Sequence, residues 1–150
     1  MKKTTLIMMA FMMLTSCGYK TVYSNKNFNF NITKIEKLKE DKLNLKIEKK
    51  LKNFSNNKAL KKISLKTDAE KQITIVSKDT RGDPSRYQMT IKLSLTGVDD
   101  QNKRINQNIV QQFSYNTNSN RFALNQYEKE IEEILINKII EKTIIYLSKF

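Results

Sequence analysis

Tyr87-Gln88-Met89-Thr90-Ile91-Lys92-Leu93-Ser94-Leu95 alternates apolar and polar residues over nine positions without a break. A period of two sends successive side chains to opposite faces, so this stretch reads as a strand with one buried and one solvated face. Just before it, Asp79 to Ser85 concentrates Gly82, Asp83 and Pro84. These residues supply left-handed tolerance, self-capping and a fixed φ, so the segment is the main hairpin loop. Upstream, Ile63, Leu65, Ile73, Ile75 and Val76 form the partner strand, with Thr67 to Gln72 as a polar or bulged middle. Downstream, Gly97 to Asn102 turns the chain and Ile105 opens a further strand, in which Ile109, Phe113 and Tyr115 share a face with Gln111.

Two helices and one more strand lie outside this meander. Phe28, Phe30 and Ile32 alternate with Asn27, Asn29 and Asn31, a first strand running to Ile35. Leu43, Ile47, Leu51 and Phe54 recur at helical offsets, while Lys46, Glu48, Lys49 and Lys52 point away. Leu45 leaves a strand reading open at the start. The helix begins near Glu40 or Asp41, whose carboxylates suit the positive end of the dipole, and stops at Ser55, Asn56 and Asn57. A long helix runs from about Phe122 to Ser148, with Ile131, Leu135 and Ile139 in one stripe and Ile136, Ile140, Ile144 and Leu147 in another. Its wide apolar face either lies across a sheet or leaves a surplus for a ligand. Early glutamates, Glu128 to Glu133, and late lysines suit the dipole, and the charges between Ile131 and Leu147 exclude a membrane span. The order predicts an α+β fold, two helices packed on one face of a four-stranded mixed sheet (β-α-β-β-β-α), in which a crossover carrying the first helix joins the first strand.

The start of the chain has a different character. Lys2 and Lys3 precede the apolar run Leu6 to Leu14, then Thr15, Ser16 and Cys17. About nine apolar residues are too few for a permanent span, which takes about 20. The pattern is that of an export signal, and the residue after the cut is a thiol able to take a diacylglyceryl group. Residues 1–16 are therefore read as a lipoprotein signal peptide, 17–26 as a lipidated tether and 27–150 as a single domain. Gly18, rather than an aspartate, after Cys17 favours an outer-membrane destination.

The chain of 150 residues carries a formal net charge of +13. Without Lys2 and Lys3, 26 basic residues stand against 15 acidic ones, a net of about +11. A basic exported domain suits nucleic acid, an anionic glycolipid or phospholipid, or an acidic protein surface. Lys, Asn and Ile abound throughout, however, as in an AT-rich coding sequence, so part of this charge reads as compositional. The one cysteine is committed to lipid, and there is no histidine, which removes the commonest general base and the commonest metal ligand. The acidic pairs Asp68 with Glu70, Asp79 with Asp83, and Asp99 with Asp100 fall in polar or turn-like stretches. No catalysis, metal or cofactor beyond the lipid on Cys17 is expected. Cationic binding remains. Lys78, Arg81 and Arg86 flank the Gly82 to Pro84 turn, and Arg121 opens the last helix, where backbone amides and a guanidinium could jointly hold a phosphate. Nucleic acid is the weakest partner, because no stacking aromatics interleave with the basic residues.

Several residues together resemble a known family. Cys17-Gly18-Tyr19, Val22 and Tyr23, the Asp79, Thr80 and Gly82 loop leading into Tyr87-Gln88-Met89, and the polar-then-helical tail from Ala123 and Leu124 resemble the LPS-assembly lipoproteins, LptE. Thr21 stands where related chains often have proline, and Gln126 where the family has a lysine, leaving Arg121 as the nearest cation. The resemblance covers the mature chain. It implies a lipid-anchored outer-membrane subunit that plugs and helps assemble the LptD β-barrel and binds lipopolysaccharide in transit, with Arg81 at the family's first basic position. The alternative is a free-standing, periplasm-facing lipoprotein that binds anionic glycolipid or glycan.

Overall fold

The computed structural model describes residues 28–150; the expected signal, Cys17 and the tether lie outside the described residues. The elements run β1 (Phe30–Lys37), α1 (Lys42–Lys52), β2 (Lys61–Lys78), β3 (Pro84–Asp99), β4 (Arg104–Asn116) and α2 (Arg121–Lys149). They make one four-stranded sheet in the order β1-β2-β3-β4. β1 is parallel to β2, and the other pairs are antiparallel. Both helices pack on one face, as the alternation predicts. α1 lies on β1 and β2, α2 on β3 and β4, and the two helices touch.

The core follows the two periodicities. Ile63, Leu65, Met89, Ile91, Leu93, Leu95, Ile105 and Ile109 are buried from the sheet, Ile47 and Leu51 from α1. Both apolar stripes of α2 are buried throughout, so they are used within the fold, and the exposed apolar residues of α2, Phe122, Tyr127, Ile134 and Ile145, lie outside them. Leu45 is helical and half exposed, which closes the strand alternative.

The N-terminus of α1 is built by Asp41, whose Oδ1 accepts the Asn44 N–H at 2.8 Å and so satisfies one of the orphan amides of the first turn. The Ser55 to Asn57 cluster does more than stop the helix. Ser55 Oγ accepts the Ile32 N–H at 2.8 Å and Asn56 Nδ2 donates to the Phe28 carbonyl at 2.9 Å, which fastens β1 to the end of α1. On α2 the first turn holds no acidic residue. The glutamates that follow pair across elements instead of serving the dipole: Glu132 meets Lys46 and Lys71, each at 2.7 Å, and Glu133 meets Lys50.

β2 departs from the sequence reading. Its Thr67 to Gln72 stretch is continuous strand with no bulge, and the register shifts fall later, at Ile75 to Lys78. Thr67 and Ala69 are buried although neither is large and apolar. The reason lies on α1. β1 stops pairing with β2 at Thr67, and beyond that point the fully buried Asn44 side chain takes the place of a strand residue. Its Oδ1 accepts the Ala69 N–H at 2.9 Å and its Nδ2 donates to the Ala69 carbonyl at 3.1 Å. A buried main-chain pair is thereby satisfied by one amide.

The hairpin is tighter than expected, with strand resuming at Pro84, so Pro84 and Ser85, read as part of the loop, sit on β3 together with Arg86. β3 also runs on through Gly97 to Asp99. At Gly97 a Cβ would lie 2.2 Å from the Ser64 carbonyl oxygen, a close approach that only glycine permits.

Candidate functional site

The β2–β3 hairpin and the β4–α2 loop lie together at one end of the sheet. Arg86 is paired with Ser77 on β2 and Asn116 on β4, and the Thr117 N–H donates to the Ser85 carbonyl at 3.1 Å. Lys78, Arg81, Arg86 and Arg121 are therefore all brought to this distal end, although their side chains do not converge on one point. Within β3, Arg86 belongs to the even-numbered set that faces away from the helices, opposite the buried Met89 and Ile91.

The turn that presents Arg81 is organised by Asp79. Its Oδ1 accepts the N–H groups of Arg81 and Asp83, each at 2.9 Å, its carbonyl accepts the Gly82 N–H at 3.0 Å, and Gly82 takes φ +88°. Asp79 and Asp83 are thus turn carboxylates, and both lie near Arg81: Nη2 to Asp79 Oδ2 at 3.4 Å and Nε to Asp83 Oδ2 at 3.8 Å. The Arg81 side chain remains 80% exposed. Lys78, Arg86 and Arg121 form no ion pair among the described residues.

The other acidic pairs are also structural. Asp68 and Glu70 share Lys39, at 3.6 and 2.6 Å. Asp99 Oδ1 accepts the Gln101 and Lys103 N–H groups at 3.0 and 2.8 Å, closing the β3–β4 turn. No cluster of potential metal ligands occurs among the described residues.

One expectation at α2 needs correction. The amides at its N-terminus were expected to join Arg121 in holding a phosphate. Asn120 caps the helix, and its Oδ1 accepts the Phe122 and Ala123 N–H groups at 3.0 and 3.1 Å. Two of the first-turn amides are thus already used, which leaves the Arg121 guanidinium as the cationic group at this end of α2.

The alternation rule did not separate covered apolar residues from uncovered ones; some of the uncovered ones, such as Leu38, Leu60 and Val98, are scattered, and another group lies toward the distal end. Two cross-strand rows end the helix-facing side of the sheet: Ile73, Met89 and Phe113, then Ile75, Tyr87 and Tyr115. Met89 and Tyr115 are buried, but Ile73, Ile75 and Phe113 are 42%, 50% and 39% exposed. Phe122 and Tyr127 on the first turns of α2 are exposed as well. Tyr115 anchors this shelf, with its ring 5.8 Å from Tyr87 and 6.1 Å, edge-on, from Tyr127. Its hydroxyl donates to Glu128 Oε1 at 2.6 Å. Burial, reinforced by that hydrogen bond, pushes the phenol well above its ordinary range, so it stays a neutral donor. The distal end thus offers guanidinium and ammonium groups beside exposed aliphatic and aromatic surface, an arrangement suited to an amphiphile with an anionic head.

No protein-family model and no curated protein matches the chain. Solved structures do. A minor lipoprotein from Acinetobacter baumannii superposes with a TM-score of 0.59 at 13% identity, over 81% of this chain and 92% of that one. The rare lipoprotein B from Shewanella oneidensis gives 0.57 at 11%, over 78% and 96%. Lipoprotein B from Nitrosomonas europaea gives 0.53 at 12%, over 87% and 90%. The chain has the α+β fold of these bacterial lipoproteins, matched over nearly the whole length of each.

Proposed function

We propose that this chain is an LptE-type lipoprotein. It is anchored through lipid on Cys17 to the periplasmic side of the outer membrane, seated in an LptD-type β-barrel that it helps to assemble, and in contact with lipopolysaccharide during transport. The observation that carries the glycolipid part is the distal end, where Lys78, Arg81 and Arg121 lie at the same end of the sheet as the exposed Ile73, Ile75, Phe113 and Phe122, with Arg86 on the sheet's other face. Lipid A carries phosphates next to acyl chains, so its recognition calls for both surfaces at once. Arginine presents a planar fork to phosphate oxygens. Exposed ion pairs such as those of Arg81 are worth about 0–1 kcal/mol, so a phosphate displaces Asp79 and Asp83 at small cost. The fold of three solved lipoproteins and the Leu14 to Cys17 stretch support the anchor. Support for the barrel comes from the resemblance at Cys17 to Tyr23 and Tyr87 to Met89. In this reading the protein binds and plugs without turnover.

Purification from outer membranes in mild detergent tests it. A β-barrel partner is expected to co-purify, and depletion of the chain is expected to lower surface lipopolysaccharide. Recovery only as a free monomer, with surface lipopolysaccharide unchanged, contradicts the translocon reading and leaves the free-standing lipoprotein.

A further inference from the structure

The sheet has an open edge where β2 outruns β1. β1 pairs with β2 no further than Thr67, Leu38 donates its N–H to the Thr67 carbonyl at 3.0 Å, and Asn44 closes Ala69. Main-chain groups of alternate residues point the same way, so those of Lys71, Ile73 and Ile75 face outward from the sheet. Among the described residues no strand or side chain meets them. An unpaired stretch of this kind is a template for another strand.

Its surroundings give the occupant a chemistry. On the helix-facing side the edge presents Ile73 and Ile75, half exposed. Near its start a groove of about 700 Å³, lined in part by Leu43, Ala69, Gln72 and Lys92, runs along β2. Lys42 beside the groove and Lys78 at the far end form no ion pair among the described residues, whereas Lys92 faces Glu70 across the strands. We infer that the Lys71 to Ser77 edge of β2 takes up an extended segment of a partner polypeptide as a fifth strand. That segment is apolar on the side that meets Ile73 and Ile75 and carries carboxylates toward Lys42 and Lys78.

Two nearer occupants fit less well. The eleven residues from Cys17 to Asn27 span ~40 Å at full stretch. They join β1 where Phe30 pairs with Lys61, and running from there to Lys71 uses about 33 Å, so too little remains to pair. A second copy paired antiparallel, with the outward residues of the two edges opposed, would set Lys78 against Asp68 or Glu70, both already held by Lys39. The inference shares Ile73, Ile75 and Lys78 with the proposed glycolipid surface but does not rest on the translocon reading, since it concerns main-chain pairing along the edge of β2.

The test uses the full lipidated chain in detergent with two synthetic peptides of alternating valine and threonine. One ends in glutamate at both termini and the other in lysine. Amide exchange at Lys71, Ile73 and Ile75 is followed by NMR. The glutamate peptide is expected to slow exchange at these three amides at least tenfold, and the lysine peptide to bind at least tenfold more weakly. The Ile73→Pro variant, which removes one outward N–H and leaves the β3 ladder intact, should lose the effect, and Lys42→Glu should weaken the preference for glutamate. Should Ile73→Pro fail to fold, Lys42→Glu carries the test. Equal binding of both peptides, or no slowing with either, overturns the proposal. Slow exchange before any peptide is added means that the chain covers its own edge, and slowing that grows with protein concentration alone means a second copy; either result also overturns it.

Discussion

The two ends of the sheet are built from the same alternation and finished differently. At the proximal end, β1, α1 and the C-terminal half of α2 close over the sheet, and Phe30, Leu51, Ile63 and Leu147 are fully buried. At the distal end β2 and β3 continue beyond β1 and the start of α2, leaving Ile73, Ile75 and Phe113 partly in water at the end of the sheet that also carries four cations. Apolar residues at the first end stabilise the fold. At the second they are surface, and exposed apolar surface gathered in one place marks a binding site.

The largest effects belong to the proximal end. Leu135→Ala, at a position 1% exposed, is expected to cost about 2–5 kcal/mol in urea denaturation, whereas Ile75→Ala should cost well under half as much. Similar losses at both positions would erase the distinction between the ends. Next comes Asn44→Ala. It leaves the Ala69 N–H and carbonyl without their partner, for an expected cost of about 1–3 kcal/mol, read as faster amide exchange at Ala69.

Acid sharpens the contrast further. Glu48 lies between β1 and α1, and its hydrogen bonds to Lys37 and Lys52 hold its carboxyl below the ordinary value of 4.5. A folded value below the unfolded one contributes stability that is fully present above pH 4.5, and that is lost as pH falls through the folded value. Glu48→Gln should therefore flatten the acid limb of a stability–pH curve, and an unchanged limb would count against this pair. The smallest stability effect belongs to the distal cations. Arg81→Ala should change the stability by no more than about 0.5 kcal/mol, as expected of an exposed side chain.

The alternation of Tyr87 to Leu95 and the stripes of α2 made the fold legible, because period reports which residues share a face. Period does not report how far a neighbouring element extends. Ile73 and Ile75 alternate as Ile63 and Leu65 do, yet only the second pair lies under α1, and that difference is set by where β1 and α1 end. The middle of β2 left a bulge open for a related reason: its compensation is Asn44, 25 residues away on α1 and not singled out in the sequence. At the candidate site, the turn and its arginine were visible in Asp79 to Ser85. The capping of α2 by Asn120 was not anticipated, although Asn is a favoured N-cap residue and stood directly before Arg121.

Binding of purified lipopolysaccharide to the full chain, compared between two double variants, tests the central claim most directly. Arg81→Ala with Arg86→Ala removes two distal cations, and Lys49→Ala with Lys58→Ala removes two exposed cations from the proximal end. Both change net charge equally. The distal pair is expected to weaken binding about tenfold and the proximal pair to leave it within about twofold, a difference of roughly 1 kcal/mol. Equal losses from the two pairs would show that general positive charge, rather than the distal end, attracts the glycolipid, and would contradict the account.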